Sequence, residues 1–372
     1  MLITRSLKRL ASTRYPGFVF GLPLREGSMP AFIYHEVEAE TFAADLEFLK
    51  CNGYATLSTE EYVRSARSRD AHSKGVLLTF DDARANFFEV ALPILRQFNA
   101  QATLFVPTYW IGDSRNSPPS PSIPPAEAAL FMTWDQVRLC RDSGLVDVQS
   151  HGHRHALVHT STRLVGFASP ERLEQSELYD WPMRRNNGLD RLGRPPLGTP
   201  IYVSDPLLSA SFRLLEDSSL ARSCQQLVAD GGDTAFFHRP DWEQRLRTTH
   251  KQSQARFERI EGGDFLSLVA SEFQLSQQHF ENELGSRPRF FAYPWMLGSA
   301  ASLRIASELG IQAVFGVGLD FNRAEKMDAA VPAFGRFKAD WLRFLPGHAR
   351  AKLGRVVRGK FGEWMRTQNL AH

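Results

Sequence analysis

Short apolar runs alternate with amphipathic helical patterns along this chain, and that alternation constrains its fold more than any other feature. Ala31–Tyr34, Val76–Phe80, Ala102–Val106, Val146–Gln149, Arg289–Tyr293 and Ala313–Gly316 read as strands, rich in apolar, β-branched and aromatic residues. Between most of them apolar residues recur at helical spacing. Phe42, Leu46 and Leu49 mark one helix over 42–52, stopped by Gly53, and Val90, Leu92, Ile94 and Leu95 mark another over 87–98. Segments 134–143 and 265–284 end at Gly144 and Gly285. Strand and helix in turn predict α/β architecture, a parallel sheet or barrel. Two stretches break the rhythm: a proline-rich loop over 107–125, and residues 157–263, which offer no strand that joins the alternation. Within the second, 186–200 is turn-rich and 206–230 reads as helical, so the whole is expected to be an insertion of about a hundred residues.

Composition removes several classes. With 43% hydrophobic residues the chain of 372 is too apolar for disorder, and three cysteines are too few for a disulfide scaffold. No run approaches the roughly 18–20 apolar residues of a spanning helix. The net charge of +3 is unevenly placed: +5 in residues 1–25, +7 in 336–372 and −9 between them. Basic ends on an acidic body suggest an anionic surface met at the periphery, not a nucleic-acid groove. The first residues lack the apolar stretch and cleavage site of a secretory signal, and the scattered cysteines fit a reducing interior, so a cytoplasmic location is expected. Leu353, Val356, Val357, Phe361, Trp364 and Met365 share one helical stripe among arginines. This is the pattern of an interfacial helix on an anionic membrane, or equally of a helix packed on the barrel with its charges in water.

Chemistry concentrates after the strands. Leu77-Leu78-Thr79-Phe80 runs into Asp81-Asp82, and a turn at the strand end lets both carboxylates reach one place. Taken alone, the pair reads equally as a turn or as a helix N-cap. Ser150-His151-Gly152-His153-Arg154-His155 puts three histidines in five residues, and His151 and His155 can converge on one ion. Tyr293-Pro294-Trp295 forms a stiff turn after another strand, and His35 follows the first. All four fall at the carboxyl ends of expected strands.

These motifs, with FIYHEV, LLTFDD, ATLFVP, MTWDQV and FFAYPW, resemble the NodB-type polysaccharide deacetylases (carbohydrate esterase family 4). The YH and FxYP variants are most similar to the poly-N-acetylglucosamine deacetylase branch. The resemblance covers about 31–155 and 264–336. It implies a distorted (β/α) barrel with the large insertion after the histidine motif. It also implies one divalent metal, zinc or alternatively cobalt, nickel or manganese, and hydrolysis of an N-acetyl group on an amino-sugar glycan. Position by position, Asp81 matches the catalytic base and Asp82, His151 and His155 the metal ligands, while His153 matches a position that is not a ligand. Tyr293, Pro294 and Trp295 match the substrate-side turn whose backbone amide helps hold the oxyanion, and His35 is the candidate general acid. The chain departs from the family at Ala83, where glycine is usual, and at Ala292, where an arginine often stands. It also lacks the late Leu-His motif, the nearest late histidine being His348.

The expected organisation is a basic arm (1–30), a barrel in two parts (31–156 and 264–336) around the insertion (157–263), and a basic tail (337–372). The tail is expected to dock peripherally on the inner face of the membrane. Two other functions fit the residues: a catalytically inactive saccharide-binding barrel in a glycan-synthesis complex, and a deformylase of a lipid-linked amino sugar.

Overall fold

A computed structural model describes residues 16–24, 28–68, 74–113, 125–186, 188–253, 256–316 and 331–351. Five strands come first: β1 (Ala31–Tyr34), β2 (Ala55–Thr56), β3 (Gly75–Phe80), β4 (Ala102–Val106) and β5 (Val146–Ser150). The chain then leaves the sheet for β6 (Leu157–Phe167), β7 (Arg184–Asn186), β8 (Leu189–Arg191), β9 (Pro200–Pro206), β10 (Phe212–Glu216) and β11 (Phe257–Glu261). It returns with β12 (Phe290–Ala292), β13 (Ala313–Phe315), β14 (Ala333–Phe334) and β15 (Phe337–Lys338). The main sheet runs β14-β13-β12-β5-β4-β3-β1-β15, with β2 beside β3, and every pairing in it is parallel. With helices packed outside, this is the distorted (β/α) barrel expected.

Strand periodicity sorts the side chains into two cores. Ala31, Leu77, Phe105, Phe290, Ala292, Ala313 and Phe315 fill the barrel interior, with Tyr62 and Val63 of helix Thr59–Ser68 packed against them. The alternate residues Phe32, Tyr34, Val76, Leu78, Phe80, Leu104, Val148 and Phe291 lie under the helices. The edge strands β14 and β15 are consecutive in the chain, so Gly335 and Arg336 alone connect the two edges of the sheet. Strands this short escape sequence reading, which missed β2, β14 and β15.

Residues 157–261 build antiparallel pairs outside the main sheet, β6 with β9, β7 with β8 and β10 with β11. The helix expected over 206–230 forms only from Ser218, where Asp217 caps it. The residues before it alternate in burial and pair with β11 as a strand. The outer end of this region has its own small core of Phe167, Cys224, Val228, Phe236 and Leu246, whereas Val158, Leu178, Tyr179 and Leu207 join the main core.

Residues 337–351 supply β15 and a turn (Ala339–Phe344) whose Leu342 and Phe344 are buried. The amphipathic stripe 353–365 and residues 1–15 lie outside the described residues. Among the described residues no helix is long and apolar enough to cross a membrane.

Candidate metal centre

The inward parity of each strand carries into the turn that follows it. On β3, Leu77 and Thr79 face inward, so Asp81 does too. Positions 147, 149 and 151 share the inward face of β5, and 31, 33 and 35 that of β1. Asp81 N–H bonds the Tyr34 carbonyl (3.0 Å) and His151 N–H that of Val106 (2.9 Å), so both residues remain tied to the neighbouring strand. The turns are strained. Asp82, Ala83, His155, Trp295 and Met296 all adopt left-handed backbone, with φ of 71°, 48°, 50°, 52° and 57°. For non-glycine residues such geometry persists only where surrounding structure enforces it, which points to a functional site. It also explains why glycine suits the position of Ala83, a residue here fully buried.

Asp82, His151 and His155 are all buried and each offers one ligand atom, with these atoms within 4.8 Å of one another. His151 Nε2 and His155 Nε2 each lie 3.5 Å from Asp82 Oδ1. Bonds of about 2.1 Å in a tetrahedral shell place neighbouring ligands about 3.4 Å apart, so the three groups fit a zinc-like ion. The donor chemistry agrees. His151 Nδ1 lies 2.8 Å from the Ala292 carbonyl, which can only accept, so Nδ1 donates and Nε2 presents its lone pair. Asp82 Oδ1 has no hydrogen-bond partner among the described residues. Burial pushes the Asp82 carboxyl up and, reinforced by His151, drives the His155 imidazole well below its usual range. An imidazole kept neutral is one ready to ligate.

Asp81 differs from its neighbour because of Arg336, which sequence reasoning placed only at the edge of the barrel. The Arg336 guanidinium is completely buried and grips Asp81 with two hydrogen bonds of 2.6 and 2.7 Å, while also donating to Thr79 Oγ1 at 3.1 Å. Burial alone would raise the Asp81 carboxyl, but Arg336, then His151 and His35, outweigh it and hold it at about 2. The arginine missing at 292 thus has a counterpart arriving through the seam between β14 and β15. A lone arginine after Gly335, between Ala333-Phe334 and Phe337, is the only sequence signal of it.

The other expected residues separate. His35 is exposed at the mouth, near enough for its charge to act on Asp81, Asp82 and His155. His153 turns away: Thr108 Oγ1 lies 2.9 Å from its Nδ1, and it stacks on His279 at 5.2 Å. Burial, with Arg154 and His279, lowers it to about 3. Tyr293 and Pro294, expected on the substrate side, are buried, because outward parity sends the Tyr293 ring under the helices, where its hydroxyl meets Ser302 at 3.3 Å. That turn gives the site the half-buried Trp295, whose ring lies 4.2 Å from that of His155.

Two supports were invisible in the sequence. Buried Glu272, on helix Gly262–Leu284, accepts from the Arg154 backbone at 2.7 Å and pairs with its guanidinium, bracing the histidine turn. Tyr179, from the turn Leu178–Asp180 beyond β6, lays its ring 4.1 Å from His155.

The polysaccharide deacetylase family matches residues 68–185, a span that includes both Asp81-Asp82 and His151–His155. The poly-beta-1,6-N-acetyl-D-glucosamine N-deacetylase of Escherichia coli (strain K12) is 28% identical over 144 residues, 35% of this chain and 21% of its own. The Bacillus subtilis protein YxkH, named for the same family, is 28% identical over 91 residues, 22% of this chain and 33% of its own. The matched stretches thus span a fifth to a third of these curated relatives. In fold, the chain is similar to a de-N-acetylase of Aggregatibacter actinomycetemcomitans, with a TM-score of 0.51 at 18% identity over 89% of this chain and 98% of the other. Residues 68–185 therefore match the polysaccharide deacetylase family, and the barrel that carries them is similar in fold to that de-N-acetylase.

Proposed function

We propose that the chain hydrolyses the N-acetyl group of an amino-sugar polysaccharide, with poly-β-1,6-N-acetylglucosamine as the substrate class, using a zinc ion held by Asp82, His151 and His155. The observation that carries this reading is the convergence of those three donors beside a carboxylate that a buried arginine keeps ionised. A divalent ion bound there supplies Lewis acidity, polarising the acetyl carbonyl and acidifying a water. Asp81 accepts the water's proton, and Arg336 fixes which way its oxygens face. In this reading the backbone N–H of Trp295, in its left-handed turn, stabilises the oxyanion as it forms. His35, open to the mouth, returns a proton to the departing amine.

Mass spectrometry and acetate assay of β-1,6-linked N-acetylglucosamine oligomers incubated with zinc-loaded protein test this. Acetate release that Asp81→Asn abolishes is expected. Oligomer binding without turnover in the wild type would leave a saccharide-binding barrel in its place, and formate released from N-formyl sugars in preference to acetate would move the acyl specificity. The same proposal puts the basic tail on an anionic membrane at its cytoplasmic face. Flotation with anionic liposomes is expected to carry the full chain and to lose a chain ending near residue 351, and equal recovery of both in the unbound fraction rejects that placement.

A further inference from the structure

The turn Leu178–Asp180 lies in the stretch that family reasoning left without a role, yet it reaches the metal centre. Arg84, two residues after Asp82, pairs with Glu177 at 2.9 Å and lies over the rings of Phe131 and Tyr179 at 5.1 and 5.5 Å. Trp110 meets Tyr179 edge-on at 5.0 Å. Tyr179 is therefore fixed from three sides, with its ring against the ligand His155. Its hydroxyl is buried and, among the described residues, has no hydrogen-bond partner. An orphaned buried hydroxyl costs stability, and phenylalanine would fill the same space without that cost. Of the other orphans among the described residues in this corner, Arg84 Nε and, with Nε2 turned to the ion, His155 Nδ1 are donors, which leaves Asp82 Oδ1, 3.5 Å from His155 Nε2, as the acceptor.

We infer that Tyr179 is a positioning residue for the metal centre, its phenol hydroxyl serving the Asp82 carboxylate as hydrogen-bond donor when the ion is bound. This rests on the metal reading above. It assigns a task to the region after β6: through Tyr179 it closes the outer shell of the centre. Carboxylates that ligate metals are themselves usually hydrogen-bonded, and losing such a partner typically weakens metal binding about 10–100-fold.

The test uses the full chain and Tyr179→Phe, which keeps the ring against His155 and removes only the hydroxyl. Zinc affinity is measured by competition with a chromogenic chelator, and the visible absorption of the cobalt-loaded protein reports ligand geometry. The phenylalanine variant is expected to bind zinc about tenfold or more weakly, with a shifted cobalt spectrum. Its metal-free melting temperature is expected to be equal to or above that of the wild type. Affinity within twofold of wild type with an unchanged cobalt spectrum overturns the inference. So does a lower metal-free melting temperature, which would assign the hydroxyl to the fold. If the wild type itself takes up neither zinc nor cobalt, the metal reading fails first and this inference with it. If the wild type binds and the variant equals it, this inference alone fails.

Discussion

The barrel and the region after β6 use one device for different ends. In the barrel, the fully buried Arg336 grips Asp81 with two hydrogen bonds. Beyond β6, the buried Arg213 on β10 grips Asp190 on β8 at 3.0 and 3.1 Å. Each arginine leaves its Nε without a partner among the described residues. The carboxylates differ: that of Asp81 is 3% exposed and sits 3.5 Å from His151 Nε2, that of Asp190 is 21% exposed and ties one antiparallel strand pair to another. A buried arginine is an orienting device, and what it orients decides whether the pair serves chemistry or shape.

Replacing a ligand, His151→Ala, should abolish stoichiometric zinc and lower deacetylation roughly 10³-fold or more, read by metal analysis and acetate release. Arg336→Met should cost about 3–5 kcal/mol in denaturant unfolding because Asp81 stays buried without its partner. It should also lower kcat at temperatures where the variant is folded, and full activity in folded Arg336→Met would reduce that arginine to a staple.

A third pair sharpens the point. Asp45, buried on helix Ala39–Cys51, meets Arg343 at 2.9 Å and the Tyr34 hydroxyl at 3.2 Å. Arg343 is 29% exposed, and here burial outweighs it, raising the Asp45 carboxyl to about 6. A folded-state value above the unfolded one means the contribution to stability is full below about pH 4 and is lost as pH rises through about 6. The difference is up to about 3 kcal/mol. Subtracting the stability profile of Asp45→Asn from that of the wild type between pH 4 and 8 should isolate it, and parallel profiles would refute it.

Arg213→Met should cost less, about 1–3 kcal/mol, since Asp190 can reach water, and should leave zinc affinity within twofold. The smallest effect belongs to the surface: Arg247→Ala, breaking a half-exposed pair with Glu243, should change stability by less than about 0.5 kcal/mol.

Legibility followed the range of the interactions. Strands of five or six residues, such as β3 and β4, announce themselves by local pattern, and with them the carboxyl ends at which Asp81 and His151 fall. Two-residue strands carry no pattern, so β14, β15 and the arginine between them could not be placed. The expected helix at 206–230 failed at Phe212–Glu216 because pairing with β11, some forty residues on, overrode local propensity.

The sequence by itself determined the alternating α/β architecture, the strand ends where chemistry gathers, and the identities of Asp81, Asp82, His151 and His155. These depend on neighbours a few residues apart. Only the tertiary structure decided that Arg336 enters through the seam of the barrel, that Tyr293 turns outward, and that Tyr179 leans on His155. Each of those contacts joins residues from about 9 to 255 positions apart, and closing the barrel is what brings the longest of them together.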